Sequence, residues 1–597
     1  MVDAQPGETA SHRSAPQAPF IALLSLGSLG LAVTVFLAIS LHQLTLPGLY
    51  YDEALDLVPM LQVMHGEQAD LLRGIGLTIG HTTLPIMLMD YMGSLNGYLS
   101  LPFMALLGPG VVAARVEPIF FSALTVILAY ALARAWFGRG VAAVTALLLG
   151  INPSFIWFSR QGISVTSVMT VFSLGSALLI DRWLRLTVGD WRLRAVSHPQ
   201  SPVSNLPLLA AGLLLGLGLW AKLIFLWWIV ALGAMALVWI ASAPRNTGRR
   251  IMLVLHASLW VLMGLLAGAA PLLYYNLHDL LRAPFDLRNA YTLDLLIHSA
   301  NQTTNYGVNN LDLWANLKKA LADFKVFLDG SYFWYNGVPY SNVYAVPAFL
   351  ISLAVGSALA LGYRRQGRRW LALLAAIAAT VFVSAFTVSG LWATHLFIMV
   401  PLPQMVVACA AVWLAGALVR GLGRVGDHLH ISAPPLPLPP ARLLTGLLVV
   451  GLLALPAWRD VWVSVQQHAT LARTGGSGRF SDAIYRLAAH LDAQHITAPI
   501  ALDWGIEKSV RVLTDDRVRP QEVFGFTPEP DDTFRNRVRE LLQDPSREYI
   551  VLWDRFAVYN RRQAFTQIAN SMGKQVSETY IAHERSGLPV YVMLQAK

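Results

Sequence analysis

Long apolar runs separated by short polar connections dominate the chain up to about residue 460. Runs long enough to cross about 30 Å of hydrocarbon lie at 20–44, 114–136, 140–158, 164–183, 205–220, 223–242, 251–274, 344–362, 370–389, 395–418 and 442–458. The pattern predicts a polytopic α-helical membrane protein with about 11 transmembrane helices. Alternate connections hold Arg134/Arg139, Arg182/Arg185/Arg192/Arg194, Arg245/Arg249/Arg250, Arg364/Arg365/Arg368/Arg369 and Arg420/Arg424/Arg442. Clusters of arginine mark the cytoplasmic side, so residues 1–19 form a cytoplasmic tail and the connections 45–113 and 275–343 lie outside. After residue 458 the pattern changes to polar helices alternating with short apolar runs such as Tyr549–Leu552. That alternation predicts a small α/β domain over 459–597, placed on the extracytoplasmic side by the alternation of spans.

Composition agrees with this reading. Of 597 residues 55% are hydrophobic and only 13% charged, against about 25% charged in soluble domains. The net charge of +9 comes from the clusters between spans and does not point to nucleic acid. The one cysteine, Cys409, lies in an apolar run and excludes a disulfide framework. The run 20–44 is too long for a cleaved signal core and reads as a retained anchor. His428 and His430, in a proline-rich connector to Pro440, lack further ligands nearby. No Gly-rich phosphate loop follows any strand of the C-terminal domain.

Candidate chemistry begins just past the first span, in Leu49-Tyr50-Tyr51-Asp52-Glu53-Ala54-Leu55-Asp56-Leu57. On a helix Asp52 and Asp56 share a face and Glu53 is turned roughly 100° away. Arg115, Arg160, Lys222 and His395 stand at the outer ends of spans, where charge is costly and usually functional. Together they read as a cationic pocket for a phosphate group opposite a carboxylate. The run Ser331-Tyr332-Phe333-Trp334-Tyr335-Asn336 is either an interfacial belt or a stacking wall, with Tyr332, Trp334 and Tyr335 facing a sugar or an isoprenoid chain.

In this order, Tyr51-Asp52-Glu53, Met89-Asp90-Tyr91-Met92-Gly93, Ala114-Arg115-Val116-Glu117-Pro118, Asn152-Pro153-Ser154-Phe155-Ile156-Trp157-Phe158-Ser159-Arg160, Pro271-Leu272-Leu273-Tyr274-Tyr275-Asn276 and His395-Leu396-Phe397-Ile398-Met399-Val400-Pro401 resemble the membrane-embedded glycosyltransferases of family 39. That group includes protein O-mannosyltransferases and aminoarabinose-transferase-like enzymes of the GT-C fold. The resemblance covers residues 20–420 and implies a polyprenyl-phosphate sugar as donor, used on the outer face of the plasma (inner) membrane. It implies Asp52 as catalytic acid-base residue, with Glu53 beside it, and Arg115 as a donor-phosphate contact. The family often has an acidic residue after Arg160, where this chain has Gln161-Gly162-Ile163.

The chemistry also fits the residues alone. An acceptor hydroxyl needs a base, and a departing phosphate needs cations. The acceptor is a lipid, a glycan or a protein. No cofactor is implied, and a divalent metal stays open. The alternative is a lipid or glycoconjugate flippase, against which stand the absence of an internal repeat and of charge at span midpoints.

Overall fold

A computed structural model describes residues 17–161, 166–189, 205–242, 247–283, 286–298, 312–337, 339–362, 364–388, 390–428 and 438–597. A helix occupies each segment expected to cross the bilayer. Among the described residues seven helices are long and apolar enough to do so, or up to eight if a bent pair counts as one span, and the rest are shorter. The chain is a multi-pass membrane protein.

The bent pair is Arg139–Ile151 and Pro153–Arg160, set at 59°. Proline has no N–H and drives the preceding residue out of the helical region. Asn152 accordingly sits at φ −69°, ψ 122°, and its side chain accepts the N–H of Phe155 at 3.0 Å, so a new helix starts in a new direction. His395 does not open a span as expected. It sits in a 3₁₀ turn, Ala393–Met399, before the helix Leu402–His428. The last apolar run continues without a stop as Leu438–Thr474, 37 residues, and leads into the C-terminal region.

Helices Leu206–Ala221 and Thr247–Gly268 meet at backbone distance. A Cβ on Gly212, Gly216, Gly264 or Gly268 would lie 2.0–2.3 Å from a carbonyl oxygen of the facing helix. Two glycines four apart on each helix let the backbones touch where lipid offers no hydrophobic drive for association. Ends that carry the arginine clusters come together: Arg369 donates to the carbonyls of Ala135 and Trp136 and stands 4.0 Å from Asp181, itself paired with Arg185 at 2.6 Å. Arg192, Arg194, Arg245, residues 162–165 and the connector 429–437 lie outside the described residues.

The connection after the first helix, Gln17–Leu41, is structured. It holds short helices Tyr51–Leu55 and Val58–Met64, a hairpin of Gly76–Ile79 with Thr82–Pro85, and an apolar helix Leu95–Leu107. The C-terminal region builds one five-stranded sheet, in the order Gln521–Glu522, Ile500–Ala501, Tyr549–Leu552, Pro589–Ala596, Val576–His583. The first three strands pair in parallel, and Pro589–Ala596 pairs antiparallel with both of its neighbours. Helices cover both faces: Tyr549 and Val551 pack with Phe534, Val538 and Phe565, while Ile550 and Leu552 pack with Ile484, Leu487 and Val510. Burial on both sides is why Tyr549-Ile550-Val551-Leu552 reads as an unbroken apolar run.

Candidate active site

Two arginines fix the linker that carries Asp52. Arg115, on helix Val111–Phe137, is fully buried and donates all five of its N–H groups inside the chain. Nε and Nη2 reach Glu53 at 2.8 and 3.1 Å, Nη1 reaches the carbonyls of Leu44 and Pro47, and Nη2 also reaches Gly48. Glu53 in turn accepts the N–H of Tyr50 at 3.3 Å, tying the start of its own short helix. Arg160, at the end of Pro153–Arg160, lies over the Trp157 ring and donates through Nη2 to the carbonyls of Gln43 and Leu46. A third clamp comes from the C-terminal region. Gly48 donates to the Phe480 carbonyl at 2.8 Å, Tyr485 donates to that of Thr45 at 2.7 Å, and a Cβ on Gly48 would meet the Ser481 oxygen at 2.1 Å.

Asp52, turned away from Glu53, faces a chamber. The groups that act on its carboxylate are Lys222 and Arg479, which partly offset burial, and burial still leaves it above the usual carboxylate range. Lys222 stands in the turn between Leu206–Ala221 and Leu226–Ala241, a turn fixed to the first connection by Leu223 N–H donating to Tyr91 and by Trp220 Nε1 donating to Ile86. Burial lowers its ammonium to about 8, against the pull of Asp52 and Asp56. Neither the Lys222 ammonium nor the Arg479 guanidinium makes a hydrogen bond or ion pair among the described residues, and Asp52 lies in the field of both. Asp56, one turn from Asp52, accepts from Asn96 at 2.6 Å, and burial raises it to about 7.

Aromatic rings close the chamber. Tyr50 stacks on Phe480 at 4.3 Å and Tyr51 leans on Trp504 at 4.8 Å. The Arg479 guanidinium lies 5.3 Å from the Phe480 ring, 5.5 Å from Trp504 and 5.9 Å from Tyr50. Tyr332 adds a half-buried hydroxyl, which burial and the Asp52 charge raise to about 12.

The expected four-cation pocket therefore needs correction. Arg115 is spent on the linker and has no N–H left for a phosphate, whereas Arg160 bonds the linker through Nη2 alone and keeps Nε and Nη1 buried without a partner. His395 is neutral, since burial and the charges of Lys222 and Lys319 hold it down to about 3, and its Nδ1 accepts the Trp392 N–H. Lys222 alone of the four faces Asp52. Tyr335 also is not a wall residue: it is buried, stacked on Phe480 at 4.6 Å, with its hydroxyl donating to Gln161. Trp334 lies in the turn Trp334–Asn336, and its side chain lies outside the described residues.

Arg479, Phe480 and Trp504 escaped the sequence reading. The signal available is Gly475-Gly476-Ser477-Gly478-Arg479-Phe480, where three glycines at φ 71°, 100° and 57° make the sharp turn that returns Arg479 to the chamber. Among the described residues no group of three or more His, Cys, Asp or Glu side chains is placed to hold a metal ion.

No family model matches the chain, and no curated protein does. Solved structures do. ArnT from Cupriavidus metallidurans, bound to undecaprenyl phosphate, superposes with a TM-score of 0.53 and 13% identity over 96% of this chain and 98% of that one. The Archaeoglobus fulgidus oligosaccharyltransferase in its apo form gives 0.52 and 13% over 89% and 70%. The same archaeal enzyme, AglB, with an inhibitory peptide and a dolichol-phosphate, gives 0.51 and 13% over 89% and 70%. The chain shares the fold of these membrane enzymes.

Proposed function

We propose that this chain is a membrane glycosyltransferase that moves a sugar from a polyprenyl-phosphate sugar donor to an acceptor hydroxyl. The observation that carries the reading is a pair of cations with no ion pair of their own, Lys222 and Arg479, in whose field the Asp52 carboxylate lies. Asp52 takes the proton of the acceptor hydroxyl as its oxygen attacks the anomeric carbon. The bond from that carbon to the phosphate oxygen breaks, and Lys222 and Arg479 stabilise the charge left on the polyprenyl phosphate. Tyr332 lines the sugar side. Glu53, Arg115 and Arg160 hold the linker in place, and His395 packs behind Lys222. ArnT bound to undecaprenyl phosphate and AglB with dolichol-phosphate share this fold, which supports a lipid phosphate as the leaving group and a lipid, glycan or protein as acceptor.

The same reading has eleven crossings, an inner N-terminal tail, and the chamber and residues 459–597 on the extracytoplasmic face of the plasma membrane. Single cysteines replacing His81 or Thr527, in a Cys409→Ser background, should react with a membrane-impermeant thiol reagent in intact cells, and one replacing Arg139 only after lysis. Enzyme and flippase are separated in detergent, where no sealed compartment exists. Purified protein should release polyprenyl phosphate from donors bearing mannose, arabinose, glucose or galactose, with membrane extract as acceptor. An intact donor, together with labelled lipid crossing proteoliposomes, would establish the flippase instead.

A further inference from the structure

The C-terminal sheet turns the carboxyl ends of its parallel strands towards the chamber. Its parallel part runs Gln521–Glu522, Ile500–Ala501, Tyr549–Leu552, so the first strand in sequence lies in the middle and its two successors lie on either side. Loops leaving such strands diverge past their carboxyl ends and open a crevice there. Here those loops carry Asp503 and Trp504, Phe524 to Pro528, and Trp553 to Tyr559. Asp503 ties the first loop to the third by accepting the N–H groups of Trp504, Val558 and Tyr559 at 2.8, 3.1 and 2.8 Å. Trp504 leans on Tyr51, the neighbour of Asp52. Trp504 thus joins these loops to the turn that carries Asp52.

The second loop is pinned from beneath. Arg561 is 1% exposed and donates Nε to the Phe524 carbonyl at 2.7 Å, Nη1 to Pro528 at 2.9 Å and Nη2 to Thr527. A buried guanidinium spent on one short loop keeps it from collapsing. The residue it displays is Phe526, 77% exposed, edge-on to Tyr559 at 6.2 Å, while Phe524 stacks flat against Tyr559 at 5.0 Å and 15°. Hydrophobic burial favours covering such a ring, and the fold holds it out.

The loops and their flanks carry Glu522, Glu529, Asp531, Asp532 and Asp554 against one exposed cation, Arg555. The excess of carboxylates opposes an anionic bilayer surface or a polyanion. An extended peptide would dock by lengthening the sheet, yet the edge strand Gln521–Glu522 has only two residues. A neutral, hydroxyl-rich ring compound fits both features: its C–H face lies on the aromatic rings, and its hydroxyls donate to the carboxylates.

We propose that this crevice is the docking site of a saccharide acceptor, with Phe526 and Tyr559 as its stacking platform. The inference rests on the reading of Asp52 as the base of a sugar transfer. Full-length protein in detergent is titrated with neutral oligosaccharides of glucose, galactose, mannose and N-acetylglucosamine, and with a basic decapeptide, by saturation-transfer NMR and calorimetry. An oligosaccharide should bind, Phe526→Ala and Tyr559→Ala should each weaken it about tenfold, a loss typical of removing one stacked ring, and Phe526→Trp should retain it. In turnover with that saccharide as acceptor the loss should fall on KM and not on kcat. No saccharide binding, binding indifferent to Phe526→Ala, or tighter binding of the peptide would each overturn the proposal. The binding arm needs no chemistry, so saccharide binding through Phe526 without donor cleavage would sink the transferase reading and leave the site standing.

Discussion

Asp52 and Glu53 are neighbours on one helical turn, and the two sides of that turn are built oppositely. On the Glu53 side the carboxylate is answered in full: Arg115 spends five N–H groups on it and on three carbonyls, and the pair is sealed from solvent. On the Asp52 side one carboxylate lies in the field of an ammonium and a guanidinium without a direct bond to either. A buried pair that loses one partner leaves a stranded charge, so the Glu53 side is fixed, whereas the Asp52 side keeps its electrostatics free for a ligand. Satisfaction of its hydrogen bonds, and not position in the motif, separates a strut from a reacting group.

The comparison breaks first at the strut. Arg115→Ala should cost about 3–5 kcal/mol of stability, the range for stranding one member of a buried pair, and should lower the unfolding temperature measured by intrinsic fluorescence in detergent. An equal loss of stability in Lys222→Met would remove the distinction. Next come the free cations. Lys222→Met and Arg479→Ala should each raise the donor KM about tenfold, as expected for a lost charge-assisted contact of roughly 1.4 kcal/mol, at unchanged unfolding temperature. The smallest effect is in pH. Transfer should rise with pH through a limb above the usual carboxylate range, because Asp52 must lose a proton that burial holds. It should fall again near pH 8 as Lys222 loses its charge. Lys222→Arg should erase the alkaline limb in a profile of kcat/KM, since a guanidinium stays charged there. A profile with no acid limb above the usual carboxylate range would contradict the burial of Asp52.

The spans and the Asp52 loop were legible in the sequence because each depends on local pattern: apolar runs, arginine clusters and an Asp-Glu pair just past a helix. Partners of the arginines were not legible. Arg115 and Arg160 look like free cations at helix ends, and what answers them is mostly backbone carbonyls of Gln43 to Gly48, which any sequence could supply. The break at Asn152-Pro153 was readable from proline geometry, yet the apolar run through it outweighed that signal. Arg479 was hidden differently: it is brought to Asp52 only when helix Leu438–Thr474 delivers the C-terminal sheet onto the first connection, a long-range event with no local periodicity. The count of exposed rings at Tyr332 and Tyr335 likewise depends on Phe480, which stacks on Tyr335.

The most direct measurement compares Asp52→Asn with Glu53→Gln in one preparation, reading donor binding, transfer rate and unfolding temperature. Asp52→Asn should unfold and bind donor like the natural protein while transfer drops by about 10²–10⁴-fold, the contribution of a positioned base. Glu53→Gln should lose stability through Arg115, whose charge is then left without its carboxylate. Near-normal transfer by folded Asp52→Asn would contradict the account.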